Sequence, residues 1–480
     1  MNTDIQTYHK QPGNIKGLTL VLIAFATAFF PRILSTMGAP SAVNFVHFAV
    51  IPLACGIVLI QTRVKNSQQI ATIKALLGGL LLLFGITVAS AILNGAGAIN
   101  VVVDFLLLAE PFILLVTVLC ISFSARELRR FKSWLLGFGF INLFLALAQK
   151  VLISANILKH TRMTLEDNVQ GVFYLTGGGH VVSASVSLVF CTYFFFLAKT
   201  APLWIRVSVV LATFIQIQVA DAKQVLLVAV AAWLLLIASR VQNVGLVIKL
   251  GIVAAVVLPI LWWCIQNVDA FEAYKAWINR DIYGPDGDAT QLKIRPLLII
   301  PTFYQSPFNW LFGLGPGHTI GRLGGWMLKD YWNLLGPLGA TIHPASQVAG
   351  WDAWAQTSYL DSSIYSPLWG FAGIWGDLGF LGLFTYFYLG YIAWGRLSKG
   401  TVSKFILLNV PINGLIFSLM EEPGFMLSVV LLLGLQWHEQ QLAQQQRRRE
   451  QQFAYAYAMQ TASYLSQDDL LYLNELQQPE

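Results

Sequence analysis

The residues of this chain that could do chemistry are charged side chains within or beside long apolar segments. Such residues are costly inside a membrane and usually face a bundle interior or a water-filled cavity. Arg32, Asp104 and Glu110 are of this kind. Lys223 closes another apolar segment beside Asp221. On the topology predicted below, all of them lie towards the external side, which predicts an externally open polar cavity. Structural pairing, for instance of Arg32 with Glu110, is the competing interpretation.

A second group of candidates surrounds a glycine-rich stretch in the later part of the chain. Its glycines would let backbone N–H groups approach an anion, with nearby Lys and Arg side chains as phosphate partners. No strand precedes the stretch and no Lys-Ser/Thr follows it, which argues against a nucleotide-binding loop. A tight turn is the alternative interpretation. The candidate anion-binding residues here are Lys293, Arg295, Gly313, Gly315, Gly317 and Arg322.

Acid–base candidates are the three histidines predicted outside the membrane, His180, His318 and His343, and a carboxylate, Asp361. A general base must reach the reacting hydroxyl, and spacing alone does not show reach. A structural role is therefore the alternative for each of them. No metal-ligand spacing and no serine or cysteine nucleophile motif is present. The four cysteines all fall inside apolar runs, so no disulfide framework is indicated.

The composition explains why such charges are sparse. The chain has 480 residues, of which 56% are hydrophobic and 11% are charged. Soluble domains carry about 25% charged residues, so this chain cannot cover a normal water-facing surface. Lipid must be the solvent for much of it. A polar N-terminal stretch with no small-residue cleavage site precedes the first apolar run, which favours a retained span over a signal peptide.

The elements that must position the candidates are apolar runs of about 20 residues, the length that crosses a hydrocarbon layer of ~30 Å. These runs predict an all-α integral membrane protein with about twelve spans. Most of the 30 Lys and Arg residues fall in alternate turns, which predicts that both termini are cytoplasmic. The last two spans are short, and we expect them to form a hairpin turning at Glu421-Glu422-Pro423-Gly424. Spans are predicted at 18–37, 42–60, 75–94, 100–123, 133–153, 180–198, 204–221, 224–239, 246–265, 372–395, 405–420 and 425–437.

Two predicted external segments, 156–179 and 266–371, are too long for plain connectors. The second lies between spans nine and ten and holds seven of the 15 tryptophans and six of the 16 tyrosines. A disordered linker would be poor in aromatic residues, so we expect a folded helical cap over the outer mouth. We expect Trp310, Trp326, Trp332, Trp351 and Trp354 to be mostly part-buried. The chain then divides into a transmembrane bundle of about nine spans (1–265), the cap loop (266–371), about three further transmembrane helices (372–437) and a cytoplasmic Gln-rich tail (438–480).

This layout resembles the O-antigen polymerase and ligase superfamily (Wzy-like proteins), in which a large external loop occurs late in the chain. The resemblance covers roughly residues 130–437. Four local features carry it, and their order along the chain matters more than any one of them. They are Val169-Gln-Gly-Val-Phe-Tyr174, Asp221-Ala-Lys-Gln224, Arg295 upstream of Gly313-Leu-Gly-Pro-Gly317, and Gly376-Asp-Leu-Gly-Phe-Leu-Gly382.

The resemblance implies a metal-independent glycosyltransferase of the inner (plasma) membrane. Such an enzyme polymerises polyprenyl-pyrophosphate-linked oligosaccharides into a surface polysaccharide or exopolysaccharide, with no cofactor and no nucleic acid. Lys223 and Arg295 would hold the donor pyrophosphate in one cavity, assisted by Lys293, Arg322 and Arg32. Besides the lipid-linked oligosaccharide and the bilayer, a chain-length regulator and a flippase are the implied partners. The catalytic candidates are Arg295, His318 and Asp361.

Two alternatives stay open at this point. Ligases of the family carry a His-Asn-type pair shortly before the G-x-x-G element, where this chain has Leu368 and Trp369, so the polymerase interpretation is favoured over a ligase-type transferase. A secondary transporter with twelve spans is the alternative from another class. The chain shows no detectable halves and has a large late external loop, and both features argue against a transporter.

Overall fold

The structure, a computed structural model, describes residues 17–62, 66–158, 164–239, 244–268, 271–353 and 366–462. In these ranges the chain is helical and contains no strand. Six of the described helices are long and apolar enough to cross a membrane, which confirms the prediction of a helical membrane protein. Several shorter apolar helices accompany them, so the number of about twelve spans stays a prediction. The six helices are Ser41–Gln61, Ser67–Asn94, Ala98–Cys120, Ala125–Ser154, Gly179–Leu197 and Gly370–Leu397.

Thirteen of the described helices are numbered here in chain order. Nine precede the cap, one lies within it and three follow it. They are α1 (Gly17–Phe29), α2 (Val46–Gln61), α3 (Ser67–Asn94), α4 (Ala98–Cys120), α5 (Ala125–Ser154), α6 (Gly179–Leu197), α7 (Leu203–Val219), α8 (Lys223–Ala238), α9 (Val244–Asn267), α10 (Asp288–Ile299), α11 (Gly370–Ile392), α12 (Thr401–Ile416) and α13 (Pro423–Ala462).

Local sequence accounts for several helix ends. The predicted first span is interrupted at Pro31, which lacks a backbone N–H, so α1 ends at Phe29 and a short helix, Pro31–Thr36, follows it. A capping box between Ser124 and Glu127 starts α5. The predicted last span was expected to end near residue 437, but α13 continues unbroken to Ala462 because the Gln-rich segment contains no helix breaker.

Helices α4, α6 and the first half of α13 form the centre of the bundle. Nearly every residue of 425–437 is buried, as are most residues of α4. A hydrogen bond from His438 Nε2 to the Val118 carbonyl, 2.9 Å long, ties α13 to α4. The short apolar segment of α13 is therefore enclosed by other helices, and its length is set by protein packing more than by lipid.

The cap, described here over residues 271–353 and 366–369, consists of short helices and turns packed on one end of the bundle. Leu323, Met327 and Leu335 pack on Val103 and Leu107 of α4. A second apolar cluster joins the cap to α11 through Ile300, Leu314, Ile320, Ala372 and Trp375. These contacts fix the cap against two helices of the bundle.

The tryptophans of the cap divide into two groups. Trp326 and Trp351 are part-buried, as predicted. Trp310 and Trp332 are 44% and 41% exposed, more than predicted. Trp310 stacks near Phe380 of α11 with ring centroids 6.1 Å apart. An exposed indole beside an apolar helix is typical of the membrane–water interface, where aromatic rings are enriched. Trp354 lies outside the described residues.

Candidate functional site

A cavity of about 490 Å³ lies between the cap and the adjoining end of the bundle. Its walls come from the turn after α1, the first turn of α2, the loop before α6, the cap, and the turn between α12 and α13. Segments from both halves of the chain therefore meet at one place. We refer to it as the cap cavity.

Arg32 reaches the cap cavity from the short helix after α1. Its Nη1 donates to the Tyr331 hydroxyl, 2.9 Å away, and its guanidinium lies 5.9 Å from the centre of the Trp326 ring. It forms no ion pair with any described residue. The predicted alternative, a pair with Glu110, does not occur because Glu110 binds His47 instead.

Arg322 enters the same cavity from the cap and lies closer to the same indole, 4.8 Å from the centre of the Trp326 ring. It forms an ion pair with Glu422, and its backbone N–H donates to Glu421. Burial lowers the pKa of Arg322, Glu422 opposes that shift, and repulsion from Arg32 adds to it. Two guanidinium groups thus share one aromatic ring, and their mutual repulsion would be relieved by an anion bound between them.

Further polar groups complete this wall of the cap cavity. Lys329 lines it and lies over the Trp351 ring at 5.8 Å. Asn44 Nδ2 approaches the Tyr331 hydroxyl at 3.4 Å, while the buried Asn44 Oδ1 has no partner among the described residues. The carboxylates lining the cavity are Glu422 and Asp330, and burial raises the pKa of Asp330. The charged side chains of the cavity wall are thus three cations and two carboxylates.

His47 and Glu110 form a buried pair at the floor of the cap cavity. His47 lies in the first turn of α2 and lines the cavity, while Glu110 lies on α4 and is 1% exposed. The His47 Nδ1 atom is 2.8 Å and 3.0 Å from the two Glu110 oxygens. With Glu110 ionised, the carboxylate only accepts hydrogen bonds, so a neutral His47 ring donates from Nδ1 and keeps Nε2 as an acceptor. Nε2 makes no hydrogen bond with a described residue.

The glycine-rich stretch surrounds a carboxyl group of the protein itself, that of Asp377. Gly313, Gly315 and Gly317 all have positive φ, at 73°, 109° and 68°. The turn they form directs the Thr319 N–H and hydroxyl to Asp377 Oδ1, each 2.7 Å away. The anion-binding interpretation of these glycines is therefore wrong for a substrate, and the tight-turn interpretation is right. Their donors are occupied by the protein's own backbone and by the Asp377 carboxylate.

His318 is likewise structural. Its Nδ1 donates to the Leu314 carbonyl and its Nε2 accepts from the Thr341 hydroxyl, both at 2.8 Å. Burial lowers its pKa to about 4. Both ring nitrogens are occupied and neither faces the cap cavity, so the prediction of a catalytic His318 is not supported by the geometry. His343 stacks on His318 with ring centroids 5.3 Å apart. The His180 Nε2 atom lies 3.5 Å from Asp167 Oδ1.

Three predicted cations are not among the residues that line the cap cavity. Arg295 donates to the Val348 carbonyl at 3.2 Å. Lys293 donates to the Ser366 carbonyl at 2.9 Å and to the Ile416 carbonyl, and burial lowers its pKa to about 7. Arg295 therefore joins two segments of the cap, and Lys293 also ties the cap to the end of α12.

Lys223 pairs with Asp221 and lies 5.8 Å from the Tyr274 ring centre. This is the structural pairing that the competing account predicted. Lys223 and Arg295 do not line the cap cavity, so the predicted convergence of these two cations is not met there. Each side chain has a local partner instead, Lys223 at the start of α8 and Arg295 on α10. Asp361, the remaining catalytic candidate, lies outside the described residues.

Asp104, a further predicted site residue, is buried beneath the cap with Asp377 and Glu421. It is 3% exposed and its Oδ2 has no partner in the described part of the chain. Burial raises the pKa of Glu421 to about 8, and the nearby Asp377 adds to the shift. No group of His, Cys, Asp and Glu side chains among the described residues is arranged to hold a metal ion.

Sequence reasoning found Arg32 and Arg322 but missed His47, Trp326 and Tyr331 as parts of one site. His47 carried the same signal that identified Glu110, an ionisable residue within an apolar span. Trp326 was noted only for its aromatic character.

No protein-family model matches the chain, and no curated protein matches it. The chemical meaning of the site therefore depends on its own geometry. A cavity lined by two guanidinium groups suits a diphosphate, because guanidinium binds phosphate oxygens in bidentate fashion. An oriented histidine on the same cavity suits proton transfer from a hydroxyl.

Proposed function

We propose that the protein is a membrane glycosyltransferase that polymerises polyprenyl-pyrophosphate-linked oligosaccharides into a surface polysaccharide or exopolysaccharide. The reaction takes place on the external side of the inner membrane, and the cap cavity is its active site. The observation that carries the proposal is the placement of Arg32 and Arg322 over one indole in a cavity at the end of a membrane bundle.

The leaving group of this reaction is a diphosphate, and the two arginines are suited to bind it. Negative charge develops on the bridging oxygen as the glycosidic bond to pyrophosphate breaks. Cations placed in a site shielded from water stabilise such charge without having to reorganise. Arg32 has no carboxylate partner among the described residues and can bind the diphosphate, whereas Arg322 is held in place by Glu422.

The cavity walls also suit the other parts of the substrate. Trp326, Trp351 and Tyr331 offer flat apolar faces with polar edges, against which sugar rings can pack. The cavity lies at the end of the bundle, where the polyprenyl chain of a donor would remain in lipid while its pyrophosphate enters the protein. This division matches a substrate that is half lipid and half carbohydrate.

The proposal predicts that polymer depends on Arg32 and Arg322. In cells from which the gene has been deleted, a plasmid copy with Arg32→Ala should give on the order of 10²-fold less polymer, because one charge-stabilising group is removed. Arg32→Lys should give an intermediate loss, because an ammonium keeps the charge but not the bidentate geometry. The measurement is polysaccharide amount and length on gels.

Controls separate function from folding. Arg396→Ala removes an exposed arginine that bonds the Ala71 carbonyl far from the cap cavity, and it should leave polymer unchanged. Arg322→Lys keeps a cation beside Glu422, so this variant tests the same site without leaving a buried carboxylate unpaired. Normal polymer with both Arg32→Ala and Arg322→Lys, at normal protein level, would disprove the proposed site.

A further inference from the structure

We propose that His47, oriented by Glu110, is the general base that accepts the proton from the acceptor hydroxyl. This inference rests on the proposed function and assigns the proton transfer that the two arginines cannot perform. It concerns residues that neither the sequence motifs nor the resemblance singled out as a pair.

The geometry fixes the imidazole on one side and leaves it open on the other. Both Glu110 oxygens lie within 3.0 Å of His47 Nδ1. The Phe48 ring packs against the imidazole with centroids 4.1 Å apart. The ring is therefore held in one orientation, with Nε2 left as the nitrogen available to a substrate. A base oriented by a buried carboxylate recurs in enzymes that activate hydroxyl groups.

Contacts along the cavity wall connect His47 to the arginine pair. Arg32 Nη1 donates to the Tyr331 hydroxyl, and Asn44 Nδ2 approaches the same hydroxyl. Asn44 precedes His47 by three residues in a continuous helical segment, so the two side chains lie on the same face. The base and the diphosphate-binding cations therefore belong to one surface of the cap cavity.

The proposed step balances in atoms and electrons. The acceptor hydroxyl oxygen attacks the anomeric carbon of the donor and forms the new glycosidic bond. The bond from that carbon to the pyrophosphate oxygen breaks, and its electron pair leaves with polyprenyl pyrophosphate. The hydroxyl proton passes to His47 Nε2, and the resulting imidazolium is stabilised by the Glu110 carboxylate. The leaving diphosphate is stabilised by Arg32 and Arg322, which touch a different part of the substrate.

A purely structural pair is the competing account. In that account His47 satisfies the buried Glu110 carboxylate and ties α2 to α4, with no part in turnover. The two accounts predict different donor binding by the His47 variants and different effects of added imidazole on His47→Ala. A structural pair gives no reason for a variant to bind the donor normally yet fail to turn it over.

The test uses the full-length protein in nanodiscs with lipid extract from cells lacking the gene, which supplies the natural lipid-linked unit. Turnover is read as polymer formed per protein, and donor-site binding is measured with sugar-free polyprenyl pyrophosphate. His47→Gln should lower turnover by on the order of 10²- to 10⁴-fold, the usual contribution of a general base. It should leave polyprenyl pyrophosphate binding within about twofold of wild type, since the cations are intact. Glu110→Gln should give a smaller loss of turnover with the same unchanged binding.

Two further variants sharpen the result. His47→Ala leaves space at the cavity wall, and added imidazole should restore part of its turnover, which a structural role would not produce. His343→Gln alters a histidine outside the cap cavity and should turn over as wild type does. Arg32→Ala differs from His47→Gln in the binding measurement. It should weaken the binding of polyprenyl pyrophosphate, which His47→Gln leaves unchanged.

The outcomes separate the two proposals. If wild-type protein forms no polymer from the lipid extract, the proposed function fails and this inference fails with it. If wild type forms polymer and His47→Gln turns over at more than half the wild-type rate, the inference alone is overturned. A His47→Gln variant that loses binding and turnover together, with no imidazole rescue of His47→Ala, also overturns it in favour of the structural pair.

Discussion

At the residue scale, the same residue type has opposite roles depending on what its polar atoms meet. His47 lines the cap cavity and its Nε2 bonds no described residue, whereas both nitrogens of His318 are satisfied within the cap. Arg32 and Arg295 differ in the same way, because Arg295 bonds a backbone carbonyl while Arg32 has no ion pair among the described residues. Availability of the polar atom, more than residue identity, distinguishes a candidate site residue from a structural one.

The buried His318 predicts a pH dependence of stability. Burial lowers its folded-state pKa to about 4, whereas the unfolded chain has a value near 6.5. The unfolded state then binds more protons between these values, so stability should fall as pH falls from about 6.5 to 4, by about 3 kcal/mol at most. The measurement is the melting temperature of the detergent-solubilised protein across this range.

His318→Gln is the comparison for this prediction. It removes the titrating group and should lower the melting temperature at neutral pH, since two hydrogen bonds are disturbed. Its melting temperature should then change less between pH 6.5 and pH 4 than that of wild type. Parallel curves for the two proteins would show that His318 contributes nothing to the acid sensitivity. His343, the titratable neighbour of His318, is retained in both proteins.

At the scale of elements, the turn at residues 313–317 decides how the cap meets α11. Leu314 N–H donates to the Gly376 carbonyl at 2.8 Å, and Gly315 N–H to the Asp377 carbonyl at 3.1 Å. A Cβ on Gly313 would lie 2.4 Å from the Asp377 backbone carbon. Two backbones approach each other here more closely than any side chain allows, which is a physical reason for glycine.

Gly313→Ala should therefore destabilise the protein more than a matched glycine substitution does. Gly339 also has positive φ, 86°, but a Cβ there meets nothing within 4 Å. Gly339→Ala should cost about 1 kcal/mol or somewhat more, from backbone strain alone. Gly313→Ala adds a clash with backbone atoms that cannot rotate away. Melting temperatures and folded yield in detergent measure the difference, and equal values for the two variants would contradict the packing argument.

At the scale of the whole molecule, the placement of the cap on one end of the bundle gives the protein two different ends. The cap cavity lies at the end that carries the turn between α12 and α13, through Phe417 and Glu422. The basic residues of the short turns predict that this end is external. The proposed reaction requires the same orientation, because its lipid-linked substrate is used outside.

Reporter fusions test this orientation directly. A reporter fused after Glu421 should report an external position, and one fused after Trp437 should report a cytoplasmic position. The physical reason is that the apolar start of α13 lies between them and is buried in the centre of the bundle. Alkaline phosphatase and a fluorescent protein give opposite signals on the two sides, so each fusion has an internal check. If both positions report the same side, the last two helices are not a membrane hairpin.

The sequence by itself determined the class of the protein. A chain with 11% charged residues and apolar runs of membrane length must form helices in lipid, because only internally bonded backbone is tolerated there. The aromatic load of the cap likewise predicted that it is folded. Both properties follow from the local composition of the chain. They do not depend on which segments become neighbours in the fold.

Only the tertiary structure decided which candidates meet. Arg32 and Tyr331 are 299 positions apart, and their contact depends on how the cap packs on α4 and α11. Lys223 and Arg295 matched the expected pattern equally well, but local partners hold them elsewhere. A charge on a sequence shows that a polar partner or a cavity is needed, because an isolated buried charge is costly. Packing between distant segments decides whether the charge meets a polar partner or a cavity. The spacing of residues along the sequence does not show that packing.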